Sequence, residues 1–431
     1  MLELEVAISR FRAVVALVAS VAALIGVTAC SSSDGDAKHL VVYSTDPGNP
    51  NYQKVLDEFG KENGVSISVV SYPSSSFIQQ FTPAVNSRSQ IDVLLANGQD
   101  IRYLQSRGLV GSLGGDVDTS DLIPAAYAPF TINENLYAVG VGGVNVTAFV
   151  YNQAIFDRYG LTVPKTIDDL IADAKKLQGT GVAPVSVPGG QTYLWPMWMM
   201  QMLQQTTKNT STETTFNTLQ TGSPAFDSTE YTQALAQMAR LGAGDVFANG
   251  WQGLQEPAAV SLFTQGKAAM FFGGSWDIST IVQQAPSMDV KAFPFPNFVP
   301  GVTSTGFGGA GVVAARYGKI NPIRKTLADK LVTYMASAAV DRQLLSGGEA
   351  ICLPTVKSVK PPASTTLQTQ LMNDVVPTAS TYLDWYWPKQ VTAAYQNNMV
   401  GVVSGSRTPQ QASQDVQNAF TQAKSGGWKF N

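Results

Sequence analysis

The sequence holds one histidine, His39, and two cysteines, Cys30 and Cys352, among 431 residues. That poverty excludes a His/Cys metal cage and a Cys-x-x-Cys redox pair, and no metal or other cofactor is expected. His39 sits shortly after Cys30 in a Ser/Asp/Gly-rich stretch that reads as a tether. A Ser-His-Asp triad would therefore need its base on a flexible arm, which its hydrogen-bond geometry does not allow. Charge is also scarce, with 28 basic against 31 acidic residues, 14% in total, and a net charge of −3. Without a basic excess the electrostatic term that dominates nucleic-acid binding is missing, so a nucleic-acid partner is set aside. No G-x-x-x-x-G-K-[ST] phosphate loop occurs either. What remains is a chain 44% hydrophobic and 10% aromatic. It is too apolar for disorder and too long for one compact core, so two globular lobes are expected.

The first thirty residues carry an address. Arg10 and Arg12 precede an apolar run from Ala13 to Val27, too short to span a bilayer comfortably and matching a signal-peptide core. It ends in Val27-Thr28-Ala29-Cys30, followed by Ser31-Ser32-Ser33-Asp34-Gly35-Asp36. This resembles the bacterial lipoprotein signal, which implies a signal peptide over 1–29, a diacylglycerol on the Cys30 thiol and a lipidated tether over 30–38. Two acyl chains give durable anchoring, because each buried methylene contributes about 0.8 kcal/mol. The expected location is the outer face of the cytoplasmic membrane. Cys352 then remains the single unmodified thiol and reads as a small buried hydrophobe.

From Leu40 onward, short β-branched runs alternate with amphipathic segments. Leu40 to Ser44, Val65 to Ser71 and Ile91 to Leu95 read as strands, separated by helices that stop near Asn63-Gly64 and Asn86. A third helix ends at Arg107-Gly108. This βαβαβ order predicts a mostly parallel, doubly wound sheet with a ligand crevice at the strand C-termini. Further on, Val146 to Tyr151 reads as a strand, and Thr166 caps a helix with Asp168 and Asp169 in its first turn. Thr408-Pro409-Gln410-Gln411 predicts another capped helix.

Two separated segments carry a family resemblance. Tyr151-Asn152-Gln153-Ala154-Ile155-Phe156, running into Pro164-Lys165-Thr166-Ile167-Asp168-Asp169-Leu170, resembles a YN-x-x-x-F and P-x-T-x-x-E-L pair, with Asp169 where Glu is commoner. Phe263-Thr264-Gln265-Gly266-Lys267-Ala268-Ala269-Met270, followed by Gly273-Gly274-Ser275-Trp276, resembles F-x-x-G-x-A-A-M-x-x-x-G-x-W. In this order they resemble the carbohydrate-binding group of extracellular solute-binding proteins of ABC importers. The resemblance implies an α/β, two-lobed periplasmic-binding-protein-like fold with three hinge crossovers, closing around a solute. It assigns about 38–143 and 306–348 to an N-terminal lobe, and 144–305 and 349–431 to a C-terminal lobe. The crossovers fall near Gly140-Val141-Gly142-Gly143, near Thr303 to Gly309, and near Gly347 to Pro354.

A sugar presents apolar C–H faces and a rim of hydroxyls, so its site needs aromatic platforms and hydrogen-bonding side chains. The resemblance places Trp276 as a stacking residue with an indole N–H left for a hydroxyl, and Asp277 beside it as an acceptor. Tyr193 with Trp195, and Trp385 with Trp387, resemble the family's other aromatic groups. Asp46 ends the first strand, and Asn97 and Gln99 follow the third, at the sheet's ligand end. Asn145 lies just past the first crossover and Gly309 at the second. The Met197 to Met202 run around Trp198 instead reads as a packed helix, and Trp251 as a loop residue near the cleft. The implied function is capture of a sugar or polyol by a lipid-anchored monomer that delivers it to a permease and performs no chemistry. A glycerophosphodiester or peptide is the alternative solute, although a phosphodiester site needs a cationic clamp that the cleft positions do not show. A glycosidase using Asp92 with Asp277 is the remaining alternative, and it requires the two carboxylates about 5–9 Å apart.

Overall fold

The computed structural model describes residues 37–45, 50–73, 76–115, 117–208, 225–302, 308–346, 354–360, 367, 370–371 and 382–428. Cys30, Asp46 and Cys352 lie outside the described residues. The first half of the fold follows the expected βαβαβ order: β1 (His39–Ser44), α1 (Pro50–Asn63), β2 (Ser66–Ser71), α2 (Phe77–Asn86), β3 (Val93–Ala96) and α3 (Gly98–Ser106). Local signals mark where α1 stops and where α3 starts. Gly64, at φ +63°, follows α1 in the left-handed region, which a residue without Cβ enters freely. Asn97 caps α3 by accepting from the Asp100 backbone N–H at 2.8 Å.

The second half contains β4 (Ala138–Asn152), α4 (Gln153–Tyr159), α5 (Ile167–Leu177), β5 (Ala183–Ser186), α6 (Leu194–Thr207) and α7 (Thr229–Ala243). It continues through α8 (Glu256–Thr264), β6 (Ala268–Gly274), α9 (Ser275–Gln284), β7 (Val290–Phe293) and β8 (Gly308–Arg316). Helices α10 (Pro322–Met335), α11 (Ala338–Ser346), α12 (Lys389–Ser404) and α13 (Pro409–Ser425) complete the described elements. The capping boxes expected at Thr166 and Thr408 both form, closed by Asp169 and Gln411.

The principal sheet runs β2-β1-β3-β8-β4-β6-β5, with β7 also on β4. It is mixed, which corrects the expectation of a mostly parallel sheet. β1 and β3 pair in parallel, as do β5 and β6, but β8 and β4 run antiparallel to their neighbours. The physical cause is β4. Its residues 138–146 pair with β8 and residues 147–151 with β6, so one long strand serves both halves. The glycine-rich segment read as the first crossover therefore lies inside β4. Gly142 and Gly143 there have φ of +73° and +112°, beside a register shift between Ala310 and Val312 of β8.

Both faces of the first half are covered. Val42, Val93 and Leu95 pack with α1, α10 and α11 residues such as Phe59, Leu331 and Leu344, while Tyr43 and Leu94 face Phe77 and Phe81 of α2. Alternation along each strand makes this two-sided burial possible. In the second half Phe149, Trp198, Phe272, Phe293 and Phe295 form one cluster. Met197, Trp198, Met199, Met200 and Met202 of α6 are all buried, as expected for a packed helix. Asp92 is fully buried, paired with Arg324 at 2.9 Å and accepting from the Val41 N–H. A carboxylate so enclosed holds β1, β3 and α10 together and is not half of a hydrolytic pair. No described helix is long and apolar enough to cross a membrane, and no described cluster of side chains could hold a metal ion.

Candidate functional site

Trp276 lies in the first turn of α9, immediately after β6, and is half-buried. Its indole folds back over Gly274, where a Cβ would come within 2.2 Å of the ring atoms. Only glycine leaves room for that approach. The indole Nε1 donates to Glu256 Oε1 at 2.5 Å, so the N–H expected to be available for a ligand is already taken. Tyr193 Oη donates to the other carboxylate oxygen, Oε2, at 3.1 Å. The two rings stand 6.4 Å apart, tilted by 47°. One carboxylate thus fixes two aromatic planes at an angle to each other.

Asp277 completes this cluster, but not as the free acceptor expected from sequence. It is buried, its Oδ2 accepts from the Gly274 N–H at 3.0 Å, and its carboxyl faces Glu256. Burial, followed by the hydrogen bond to Glu256 and that group's charge, pushes the Asp277 carboxyl well above the usual carboxylate range. It therefore keeps its proton at neutral pH and donates to Glu256. The Tyr193 hydroxyl is pushed up by burial and then by the Glu256 charge, so it too remains a donor. Glu256 sits in the first turn of α8, where the positive end of the helix favours its charge. Sequence reasoning missed this residue. Glu256-Pro257 marks a helix start, but nothing in the sequence joins it to residues 193 and 276.

A third aromatic plane belongs to Trp385, which closes a short 3₁₀ turn (Leu383–Trp385). Its indole lies over two glycines: a Cβ at Gly309 would come within 2.3 Å of the ring and one at Gly98 within 2.7 Å. Gly309 pairs with Asn145 across β8 and β4. Asn145 Oδ1 in turn accepts from the Ser275 hydroxyl at 3.2 Å. Trp385, Gly309, Asn145, Ser275, Trp276, Glu256 and Tyr193 consequently form one continuous row of contacts along the sheet. Aromatic faces alternate in it with amide, hydroxyl and carboxylate groups, an arrangement that suits a ligand with apolar faces and a hydroxyl rim.

Other expected residues fall elsewhere. Trp195 is fully buried, donates to the Gly189 carbonyl at 3.1 Å and packs edge-on against Trp251 at 5.1 Å. Both tryptophans are core. Trp387 is 5% exposed and stacks on Tyr395 at 4.8 Å, again for packing. Asn97 holds Asp100 through both ends of its amide as a helix cap. Gln99 donates to the Asp384 carbonyl and to Thr392 Oγ1, both at 3.0 Å, and so ties α3 to the segment that carries Trp385.

Beyond Trp385 opens a cavity of about 640 Å³ between α3, the Trp385 turn and the end of α13. Gln99, Trp385 and Trp387 line it, whereas Trp276, Glu256 and Tyr193 do not. It brings Arg102 and Arg107 of the α3 region together with Lys389 of α12. The sequence showed no cationic clamp near the cleft. The fold assembles one from positions almost three hundred residues apart, and no spacing rule reports such a meeting.

Comparison with known proteins places this geometry. A family model described as bacterial extracellular solute-binding protein matches residues 44–342. The "Multiple sugar-binding protein" of Streptococcus mutans serotype c is 23% identical over 296 residues, covering 66% of this chain and 68% of its own length. Among solved structures, one from a study of xylan utilization by Caldanaerobius polysaccharolyticus has a TM-score of 0.74 and 21% identity, covering 88% of this chain and 99% of the other. A chitin oligosaccharide binding protein has a TM-score of 0.76 and 16% identity, covering 90% and 100%. RafE in complex with raffinose has a TM-score of 0.71 and 18% identity, covering 90% and 99%. At these identities the solved structures establish the two-lobed α/β fold.

Proposed function

Because this chain belongs to the bacterial extracellular solute-binding proteins, we propose that it captures an oligosaccharide outside the cytoplasm and delivers it to an ABC permease. Its family consists of binding proteins that act outside the cytoplasm. The observation that carries the oligosaccharide reading is the row from Trp385 to Tyr193. Three aromatic rings, each fixed by a glycine or a carboxylate, alternate there with hydrogen-bonding groups. Relatives whose names specify sugars support the same reading.

The working cycle follows from the strand exchange. With 38–143 and 306–348 as one lobe and 144–305 and 349–431 as the other, β4 carries backbone across the boundary and β8 pairs with it there. Bending at Gly142 and Gly143 would move the lobe that carries Gly98 and Gly309 against the lobe that carries Trp276 and Trp385, closing the cleft on a solute. A diacylglycerol on Cys30 would hold the monomer at the outer face of the cytoplasmic membrane, beside the permease that reads the closed state. The chain itself carries out no reaction in this cycle.

Small molecules released by denaturing the freshly purified protein should include an oligosaccharide by mass spectrometry. Titration calorimetry with raffinose, stachyose, xylotetraose and chitotetraose should give saturable binding for at least one, with the sugar recovered intact. An absence of released saccharide together with flat titrations across neutral and acidic oligosaccharides would refute the reading. Recovery of cleaved sugar would instead refute the absence of chemistry.

A further inference from the structure

The cavity beyond Trp385 has an unusual lining for a protein of net charge −3. Its cationic side chains are Arg102, Arg107 and Lys389, and none of the described residues lining it is acidic. Arg102 stacks its guanidinium 4.4 Å from the Tyr386 ring centroid and donates to the Pro129 carbonyl. Lys389 reaches Asp100 at 2.6 Å, and its Nζ stands 4.8 Å from the Tyr103 ring. Arg107, which is exposed, holds its guanidinium 5.2 Å from that same ring. Asp100 already compensates Lys389, whereas Arg107 makes no ion pair among the described residues, so an anion beside α3 would meet an uncompensated guanidinium there. Burial lowers the pKa of Arg102 and so works against its charge.

Trp385 joins this cavity to the row already described, since it lines the one and lies over Gly309 in the other. Trp385 is the residue that the cavity and the row share, so a saccharide stacked on it would have the cavity beside it. We infer that the cavity is a subsite for an acidic sugar unit, whose carboxylate or sulfate is held by Arg102 and Arg107 while Trp385 and Tyr386 provide its walls. This deepens the oligosaccharide reading and rests on it. Planar carboxylates suit the guanidinium fork, and sulfate esters present the same oxygens, so the two sources share one chemistry.

The test compares saccharides that differ only in charge, using the mature protein in titration calorimetry. Trigalacturonate is paired with its carboxyl-reduced form, glucuronosyl-xylotriose with glucosyl-xylotriose, and a sulfated galactotriose with galactotriose. At least one acidic member should bind about tenfold or more tightly than its neutral partner. That preference should shrink as salt rises from 20 to 300 mM, roughly as screening dictates for a half-open site. Carboxylate and sulfate arms separate the two sources. Arg107→Gln, at an exposed position that folding does not require, should reduce the preference severalfold, and Arg102→Gln should abolish it. Neutral and acidic members binding equally, or a preference insensitive to Arg107→Gln and to salt, would overturn the inference while leaving oligosaccharide capture intact. Failure of every saccharide, neutral or acidic, would overturn the functional reading and this subsite with it.

Discussion

Trp276→Ala is the sharpest probe of the cleft, because the structure separates two roles that sequence alone merges. The indole rests on Gly274, donates to Glu256 and stands at an angle to Tyr193. It is half-buried rather than enclosed, so the ring can still offer area to a ligand. If that part holds a saccharide, its loss removes burial of a large apolar side chain, about 1.5–3 kcal/mol of binding. This corresponds to about tenfold to more than a hundredfold in Kd. The mutation also removes one donor from Glu256, so ligand-free stability should fall by about 1.5–3 kcal/mol, a typical range for one hydrogen bond to a charged group. Trp276→Phe distinguishes the two effects. It retains a stacking face but cannot donate, so it should recover part of the affinity while keeping most of the stability loss. Calorimetric titration with the best-binding oligosaccharide and ligand-free urea melts on the same samples give both quantities. A Trp276→Ala protein that binds like the wild type, whatever its stability, would remove this ring from the site and leave it as packing for Tyr193.

Three other outcomes are expected. Burial and the neighbouring Glu256 push the Asp277 carboxyl up to about 9 in the fold, whereas the unfolded carboxyl ionises in its ordinary range. Its stabilising contribution is therefore complete below about pH 4 and declines as pH rises toward 9. Asp277→Asn, which can still donate to Glu256, should flatten that decline in urea melts between pH 5 and 9, and an unchanged slope would show that Asp277 is already ionised. Gly309→Ala would push a methyl to within 2.3 Å of the Trp385 ring. It should cost about 1–3 kcal/mol of stability through overpacking and weaken oligosaccharide binding, whereas unaltered melting and affinity would place Trp385 elsewhere. Cys30→Ala should shift the protein from the membrane fraction to unprocessed or soluble material, and normal processing with membrane retention would exclude lipidation at that thiol.

Local rules accounted for much of this architecture. The helix starts at Thr166 and Thr408 were legible because a capping box is closed within four residues. β1, α1, β2 and α3 were legible because their periodicity lies within single elements. So was the packed α6 with its methionines. The proposal of Trp276 as a cleft residue rests on a resemblance carried by a local Gly-Gly-Ser-Trp pattern, and its neighbour Gly274 supplies the space that the ring occupies.

Long-range pairing decided the rest. A strand's direction depends on the partner it meets, so β8, coming far later in sequence, could insert antiparallel between β3 and β4 and make the sheet mixed. Trp195 and Trp387 look in sequence like Trp276 and Trp385, all aromatic residues near helix starts. Only the packed neighbours Trp251 and Tyr395 show that the first two are core. Glu256 carries no motif linking it to Trp276 and Tyr193, and Arg102 lies nearly three hundred residues from Lys389. Their chemistry exists because the folded sheet brings distant helix ends together, and a one-dimensional pattern holds no record of which ends will meet.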